Sequence, residues 1–287
     1  MAKKIYGLVG HPVKHSLSPA MQNAAFKTMG LDAEYTLFDV PPEKLEGFLG
    51  GLASSDISGV NVTIPHKINA KEYIEKNGSL DESARKLGAV NTVKVEDGVL
   101  RGLNTDGPGF YRSLVKDLGF EPEGKDICIL GAGGAARAIV MYLGSTPKSI
   151  SIFDIDDKKV EDLKDHYAGY FDVKRVISVA VDGLKGAVER SQLLINTTPV
   201  GMHAGDPSPI GREMLHPGLF VYDIVYNRPK TEFVREANSM KLHAVTGLGM
   251  FLYQGAIAFE TWTGIKAPVD VMKKTLKDEI KRMESEQ

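Results

Sequence analysis

A glycine-rich turn at Gly131, Gly133 and Ala136 follows an apolar run and precedes helix-forming residues. Glycine lets backbone N–H groups and a helix N-terminus approach a pyrophosphate, because no Cβ intervenes and the helix dipole favours anions. Asp154 ends the next predicted strand, roughly 20 residues later, where such units carry the acid that binds a ribose hydroxyl. The pattern predicts a dinucleotide site. The alternative is a crossover whose glycines only permit close packing of helix and strand.

Two serines, Ser16 and Ser18, form a candidate carboxylate site. They lie in a loop between a strand predicted over 4–9 and a helix that begins at Pro19. Two hydroxyls and a helix N-terminus can bind a carboxylate through charge-assisted hydrogen bonds. Ser18 followed by Pro19 is also a typical N-cap and first-turn pair. Capping is therefore the alternative role for Ser18.

Four further polar residues, at the ends or in the middle of predicted strands and helices, are candidate ligand contacts. Lys67 lies where a strand gives way to a helix, near the sheet edge at which open α/β sheets bind ligands. Asp106 lies in a first helical turn, where a carboxylate is favourable whatever the function. Asn91 could bind substrate hydroxyls or satisfy the local backbone. Gln254 is an amide in the middle of an apolar helix, and if buried it needs partners.

Metal binding and large anionic partners are not expected. His11 and His15 are four residues apart, but Pro12 removes the helical geometry that this spacing requires. The net charge of -2 gives no reason to expect nucleic acid, and no basic run suggests a membrane surface. Small molecules are the expected partners.

Composition indicates a globular protein of two domains. The chain has 287 residues, 43% of them hydrophobic and 25% charged. Cys128 is the single cysteine, so an intrachain disulfide is impossible, and its place in a predicted central strand favours a buried apolar role. The apolar run near the N-terminus is too short for a signal peptide. No apolar run approaches the roughly 18 residues of a membrane span. A cytoplasmic protein is expected.

Read together, the motifs resemble the shikimate dehydrogenase family in order along nearly the whole chain. They are His15-Ser16-Leu17-Ser18-Pro19, Asn61-Val62-Thr63-Ile64-Pro65-His66-Lys67, Gly88-Ala89-Val90-Asn91-Thr92, Asn104-Thr105-Asp106-Gly107, Gly131–Ala136, Asn196-Thr197-Thr198 with Gly201-Met202, and Gly247-Leu248-Gly249-Met250 with Gln254. Composition and spacing alone indicate only a two-domain, nicotinamide-dependent enzyme.

The resemblance implies an α/β fold of two domains. Residues 1–105 would form a mostly parallel α/β substrate domain, residues 106–246 a doubly wound, Rossmann-type dinucleotide domain, and residues 247–287 would return to the first. Substrate is expected in the cleft between them, with hinge closure. A monomer or a homodimer is expected.

The implied reaction is the reversible oxidation of shikimate to 3-dehydroshikimate, a step of chorismate and aromatic amino acid biosynthesis. Ser16, Ser18 and Tyr226 would bind the substrate carboxylate. The ring hydroxyls would be held by Thr63, Asn91, Asp106 and Gln254. Lys67 and Asp106 would be the catalytic pair, with Lys67 as the acid/base and Asp106 as its orienting partner.

The cofactor would be a nicotinamide dinucleotide. The residues implied to contact it are Gly131, Ala132, Gly133, Gly134, Ala135, Asp154, Asn196, Thr197, Ile224 and Gly247. Members that use NADP, the family norm, typically carry Asn-Arg-Thr after the second strand, whereas this chain has Asp154-Ile155-Asp156. A carboxylate suits the free 2′-hydroxyl of NAD and repels a 2′-phosphate. NAD is therefore the predicted preference.

Two alternatives remain open at this stage. NAD use also occurs among quinate/shikimate dehydrogenases of the same family, so quinate is a second candidate substrate. A non-catalytic regulator that binds a dinucleotide and a hydroxy acid is a hypothesis from another class. The presence of both Lys67 and Asp106 favours an enzyme.

Overall fold

The computed structural model describes residues 3–285, and the chain divides into two compact units. The first unit comprises Met1–Thr105 and Leu252–Gln287, and the second comprises Asp106–Phe251. The return to the first unit occurs at Leu252, whereas the sequence pattern placed it at residue 247. Since Leu252 lies inside helix α10 (Leu248–Thr263), this helix begins in the second unit and ends in the first.

The first unit contains a mixed six-stranded sheet in the order β2-β1-β3-β5-β6-β4. Strand β1 is parallel to β2 and β3, and β4 is parallel to β6, whereas β5 runs antiparallel to β3 and β6. The β5–β6 hairpin turns at Asp97-Gly98, where both residues have positive φ, as this type of tight turn requires. The strands are β1 (Lys4–Gly10), β2 (Ala33–Asp39), β3 (Ile57–Val62), β4 (Ser79–Leu80), β5 (Thr92–Glu96) and β6 (Val99–Leu103).

Helices cover both faces of the first sheet. On one face, Tyr6 of β1 stacks on Trp262 of α10 with ring centroids 5.1 Å apart, and Phe26 packs on Phe259. On the other face, a cluster that includes Leu49 and Ile74 is fully buried. Packed side chains therefore support the first sheet on both of its faces. The other helices of this unit are α1 (Ser18–Thr28), α2 (Leu45–Leu52), α3 (Lys67–Asn77), α4 (Glu82–Leu87) and α11 (Val269–Ser285).

The second unit contains an all-parallel sheet in the order β12-β11-β10-β7-β8-β9. This is the doubly wound order of dinucleotide-binding folds, with the topological switch point between β7 and β10. The side chain of Asp172 caps a 3₁₀ turn over Val173–Arg175, and the short strand β9 begins only after this turn. The strands are β7 (Asp126–Leu130), β8 (Ser149–Phe153), β9 (Val176–Ser178), β10 (Leu193–Asn196), β11 (Phe220–Asp223) and β12 (His243–Thr246).

Close packing positions the helices of the second unit. A Cβ on Gly107 would lie 2.8 Å from the Tyr142 side chain, so α5 and α6 approach closely at this glycine. Cys128 is fully buried in β7, and burial raises the pKa of its thiol to about 12, which leaves the thiol protonated and inert. The helices are α5 (Asp106–Lys116), α6 (Gly134–Leu143), α7 (Asp157–Tyr167), α8 (Leu184–Arg190) and α9 (Glu232–Ser239).

Across residues 3–285, every helix is too short or too polar to cross a lipid bilayer.

Candidate functional site

The glycine turn of the second unit contains glycines of two kinds. Gly131 has a φ of +95°, and a Cβ there would lie 2.7 Å from the Thr197 hydroxyl oxygen, so the fold itself requires glycine. Gly133 and Gly134 are exposed, and a Cβ on either would have no atom of residues 3–285 within 4 Å beyond its own neighbours. Packing does not require these two glycines. They leave open the approach to the α6 N-terminus, at which Ala135 also lies, and this arrangement fits a pyrophosphate.

Asp154 connects the end of β8 to this turn. One carboxylate oxygen accepts a hydrogen bond from the Ala132 N–H at 2.7 Å, and the other accepts from the Asp156 N–H at 2.9 Å. Each oxygen keeps a second lone pair that can accept from a ribose hydroxyl. The neighbouring Ile155 side chain is 94% exposed. The end of β8 therefore presents an apolar side chain between two carboxylates.

Asn196 and Thr197 lie at the end of β10, and both side chains are buried. The Asn196 amide nitrogen donates to the Asp223 carboxylate at 2.9 Å and to the Val200 carbonyl at 3.1 Å, and its oxygen accepts from the Thr198 hydroxyl at 2.7 Å. The Asn196 side chain thus holds the loop that follows β10. Thr197 donates to the Leu130 carbonyl at 2.7 Å, which ties this loop to the glycine turn.

Ile224 and Gly247 lie beyond the ends of β11 and β12. A Cβ on Gly247 would be 2.0 Å from the Ile224 carbonyl oxygen, so only glycine fits there. The Gly247 N–H also donates to the Val225 carbonyl at 3.0 Å. These two candidate cofactor residues are in direct contact.

The sequence interpretation missed Asp223, a fully buried carboxylate at the end of β11. It accepts hydrogen bonds from the Thr231 hydroxyl at 2.6 Å, from Asn196 and from the Val225 N–H. Burial raises the pKa of this carboxyl group, and the three hydrogen bonds act in the opposite direction. The signal that singled out Asp154, a carboxylate at the end of a predicted strand, also applies to Asp223.

Two candidate substrate residues are neighbours in the second unit. The Tyr226 ring stacks on Phe251 with centroids 4.5 Å apart and planes 18° from parallel. Tyr226 is 38% exposed, and its partial burial, with a smaller contribution from the negative charge of Asp106, raises the pKa of its hydroxyl. Asp106, the first residue of α5, therefore acts electrostatically on Tyr226. Phe251, which supports the Tyr226 ring, was not singled out from the sequence.

In the first unit, Ser16 and Ser18 are adjacent, but the N-cap role expected for Ser18 is wrong. Ser18 is already inside α1, and Leu17 occupies the N-cap position. The Ser16 hydroxyl oxygen accepts from the Ser18 N–H at 3.2 Å. Ser18 is buried and makes no side-chain cap at this helix.

The backbone around Lys67 is anchored on both sides. Lys67 is half-buried at the start of α3, and its carbonyl accepts from the Val90 N–H at 2.9 Å. The fully buried His66 ring donates through Nε2 to the Val40 carbonyl at 2.6 Å. Just upstream, Thr63 donates its N–H to the Val9 carbonyl at 2.9 Å. These contacts fix where the Lys67 side chain leaves the sheet edge.

Asn91 has the local role that the sequence left open. Its amide oxygen accepts from the Thr105 N–H at 2.8 Å, and its amide nitrogen donates to the Thr105 hydroxyl at 3.0 Å. The buried Asn91 side chain therefore fixes the residue that precedes Asp106. Gln254 is half-buried in α10.

Comparisons with known proteins place these features in a family. A family model described as the shikimate dehydrogenase substrate binding domain matches residues 8–93, and one described as the shikimate 5′-dehydrogenase C-terminal domain matches residues 247–277. The shikimate dehydrogenase (NADP(+)) of Methanopyrus kandleri is 43% identical over 96% of each chain.

Two solved structures are similar over nearly the full length. Shikimate 5-dehydrogenase from Listeria monocytogenes, in complex with shikimate and NAD, has a TM-score of 0.87 and 37% identity over 96% of each chain. Quinate dehydrogenase from Corynebacterium glutamicum, in complex with NAD, has a TM-score of 0.88 and 26% identity over 96% of this chain and 99% of that one. With this whole-length identity, the doubly wound second sheet and the motifs in their expected order, the chain belongs to the shikimate dehydrogenase family.

Proposed function

We propose that this chain catalyses the reversible oxidation of shikimate at its 3-hydroxyl to 3-dehydroshikimate, coupled to reduction of a nicotinamide dinucleotide. The observation that carries the proposal is the 43% identity over 96% of both chains with a shikimate dehydrogenase. Gly133 and Gly134 at the α6 N-terminus support a bound dinucleotide, because internal packing does not require glycine at either position.

The chemistry defines what the protein must supply. When bound, the nicotinamide supplies the hydride acceptor. Loss of hydride from a secondary alcohol leaves positive charge on the carbon unless the hydroxyl proton also departs, so a base must lie beside that oxygen. We propose that the Lys67 amine takes this proton and returns it in the reverse direction. Asp106 would orient the amine and the hydroxyl through hydrogen bonds.

The remaining substrate contacts follow the same proposal. Ser16, Ser18 and Tyr226 would bind the substrate carboxylate, with the Tyr226 ring held by its stack on Phe251. The ring hydroxyls would be held by Thr63, Asn91, Asp106 and Gln254.

For the cofactor we propose a preference for NAD over NADP. Asp154 ends β8 and keeps free lone pairs for a ribose 2′-hydroxyl, and Asp156 adds a second carboxylate two residues later. A 2′-phosphate beside these groups would meet two negative charges, whereas the residue between them is the neutral Ile155.

The direct test is to incubate the purified protein with shikimate and NAD and to follow the absorbance of the reduced nicotinamide. Turnover is expected, and it should disappear when either component is omitted. Binding of shikimate and NAD without turnover would contradict the proposal and favour a regulatory protein.

Quinate is the second candidate substrate, and the likeness to a quinate dehydrogenase in complex with NAD favours it. Quinate has a saturated ring and an added hydroxyl beside the carboxylate. The residues that would surround that end of the substrate, and would therefore distinguish quinate from shikimate, are Ser16, Ser18 and Tyr226. Specificity constants for shikimate and quinate, measured with the same cofactor, separate the two candidates.

A further inference from the structure

A buried chain of hydrogen bonds leads to a candidate substrate residue of the first unit. It starts at Tyr35, passes through Asn61 and reaches Asn91. Asn91 is a proposed contact of a substrate hydroxyl. Tyr35 and Asn61 have no role in the proposed chemistry.

The atoms define the order of the chain. The Tyr35 hydroxyl donates to the Asn61 amide oxygen at 2.8 Å. The Asn61 amide nitrogen donates to the Asn91 carbonyl at 3.2 Å and to the Thr92 hydroxyl at 3.1 Å. The Thr92 hydroxyl donates to the Asn91 side-chain oxygen at 2.9 Å. Because the Asn61 amide oxygen can only accept, the Tyr35 hydroxyl is the donor in this bond.

Tyr35 begins this chain. It is 2% exposed, and burial raises the pKa of its hydroxyl, which favours the neutral form that donates the hydrogen bond. A phenylalanine would fill the same volume in the core without a polar atom. Retaining a buried hydroxyl at this position costs stability unless its bonds are made, which is consistent with a specific task.

We propose that the Tyr35 hydroxyl is a positioning group that fixes Asn91 through Asn61, and thereby sets the affinity for the substrate. This inference rests on the proposed function only for the identity of the substrate. A group that acts in this way changes KM for the substrate and leaves KM for the dinucleotide unchanged, since the cofactor residues lie in the second unit.

Tyr6 offers a matched control. It lies directly opposite Tyr35 in the β1–β2 register, is 1% exposed, and packs like Tyr35 against Trp262. Its hydroxyl takes no part in the hydrogen bonds that connect Tyr35, Asn61 and Asn91. Tyr6→Phe and Tyr35→Phe therefore delete the same atom from similar surroundings, and their structural costs should be alike.

The experiment compares steady-state kinetics of the wild type, Tyr35→Phe and Tyr6→Phe, with thermal unfolding of each. Tyr35→Phe should raise KM for shikimate about fivefold, the equivalent of one hydrogen bond, with kcat and KM for the dinucleotide nearly unchanged. Tyr6→Phe should lose similar stability and keep the wild-type KM for shikimate. Equal changes in KM in both variants, or none in either, would overturn the proposal.

A second readout does not depend on turnover. The side-chain amide signal of Asn91 in the NMR spectrum of isotope-labelled protein should shift in Tyr35→Phe and remain in place in Tyr6→Phe. If the wild type fails to oxidise shikimate, the proposed function is wrong, and the amide signal still decides whether Tyr35 positions Asn91. An unchanged Asn91 signal in Tyr35→Phe would contradict the inference.

Discussion

The candidate substrate residue Asn91 of the first unit is held by buried side chains, whereas the residues that would hold the cofactor in the second unit depend mainly on backbone. In the first unit, Asn91 is bonded to Thr105 and is connected to Tyr35 through Asn61. In the second unit, Gly133 and Gly134 leave open space at the α6 N-terminus. Deletion of a single polar atom in the first unit should therefore weaken substrate binding. Addition of an atom at the glycine turn should weaken cofactor binding.

Within the second unit, the end of β8 is the exception to this rule. Asp154 and Ile155 are side chains that directly follow β8, where we propose that NAD and NADP are distinguished. We therefore propose that substrate affinity depends on the first unit, dinucleotide binding on the glycine turn, and cofactor choice on the residues after β8.

The largest effect is expected from Lys67→Ala, because this change removes the proposed acid/base. The value of kcat should fall about 100- to 10 000-fold, with little change in thermal stability. Lys71→Ala is the matched control: it removes a lysine from the same helix, one turn later, where the side chain is paired with Glu75. Full activity in Lys67→Ala would disprove its assignment as the base.

The second effect concerns cofactor choice. The double variant Asp154→Asn with Ile155→Arg removes a negative charge and adds a guanidinium suited to a 2′-phosphate. The ratio of specificity constants, NADP over NAD, should rise roughly tenfold to 100-fold, the equivalent of one charged hydrogen bond. Asp157→Asn, which removes an exposed charge from the first turn of α7, should leave the ratio near the wild-type value. An unchanged ratio in the double variant would place the selectivity elsewhere.

A smaller effect is expected from Gly133→Ala. The added methyl group meets no atom of the described chain within 4 Å, and Gly133 has a φ of -77°, which alanine adopts readily. Thermal stability should stay constant, while KM for the dinucleotide rises about tenfold because the methyl group occupies space needed by the pyrophosphate. Gly169→Ala, at an exposed glycine with equally open surroundings, should change neither quantity. A wild-type KM in Gly133→Ala would place the pyrophosphate away from this turn.

The smallest effect is a dependence of stability on pH that arises from Asp223. Its folded-state pKa is raised above the usual 3.8, so the folded protein holds a proton that the unfolded chain has already lost. Stability from this group is therefore greatest at low pH and decreases as pH rises through the raised pKa.

The measurement compares the wild type with Asp223→Asn. The difference between their free energies of unfolding should change by about 1 kcal/mol per unit of pKa shift between pH of about 4 and neutrality, with the wild type relatively more stable in acid. Asp162→Asn, at an exposed site on α7, serves as the control and should follow the wild type. A difference that is constant with pH would mean that the carboxyl group has its usual pKa.

The sequence was sufficient for the fold because the relevant signals are local. An apolar run, a glycine-rich turn and helix-forming residues predicted a strand, a turn and a helix, which the structure contains as β7, the turn at Gly131 and α6.

Only part of the candidate site could be predicted from the sequence, because some of its contacts join residues that lie far apart along the chain. Ser18 precedes a proline and has the local pattern of an N-cap, but it lies inside α1 and makes no side-chain cap. Tyr35 itself reads as an ordinary core residue of a strand. Its partner Asn61 lies 26 positions away in sequence, and no local pattern predicts such a contact.

The most direct test of this account is the initial rate of shikimate oxidation by the wild type with NAD and with NADP, at matched concentrations of protein and substrate. The account predicts turnover with both shikimate and NAD present, and a higher specificity constant for NAD than for NADP. A much higher specificity constant for NADP would contradict the role given to Asp154, and no oxidation of shikimate with either cofactor would contradict the proposed function itself.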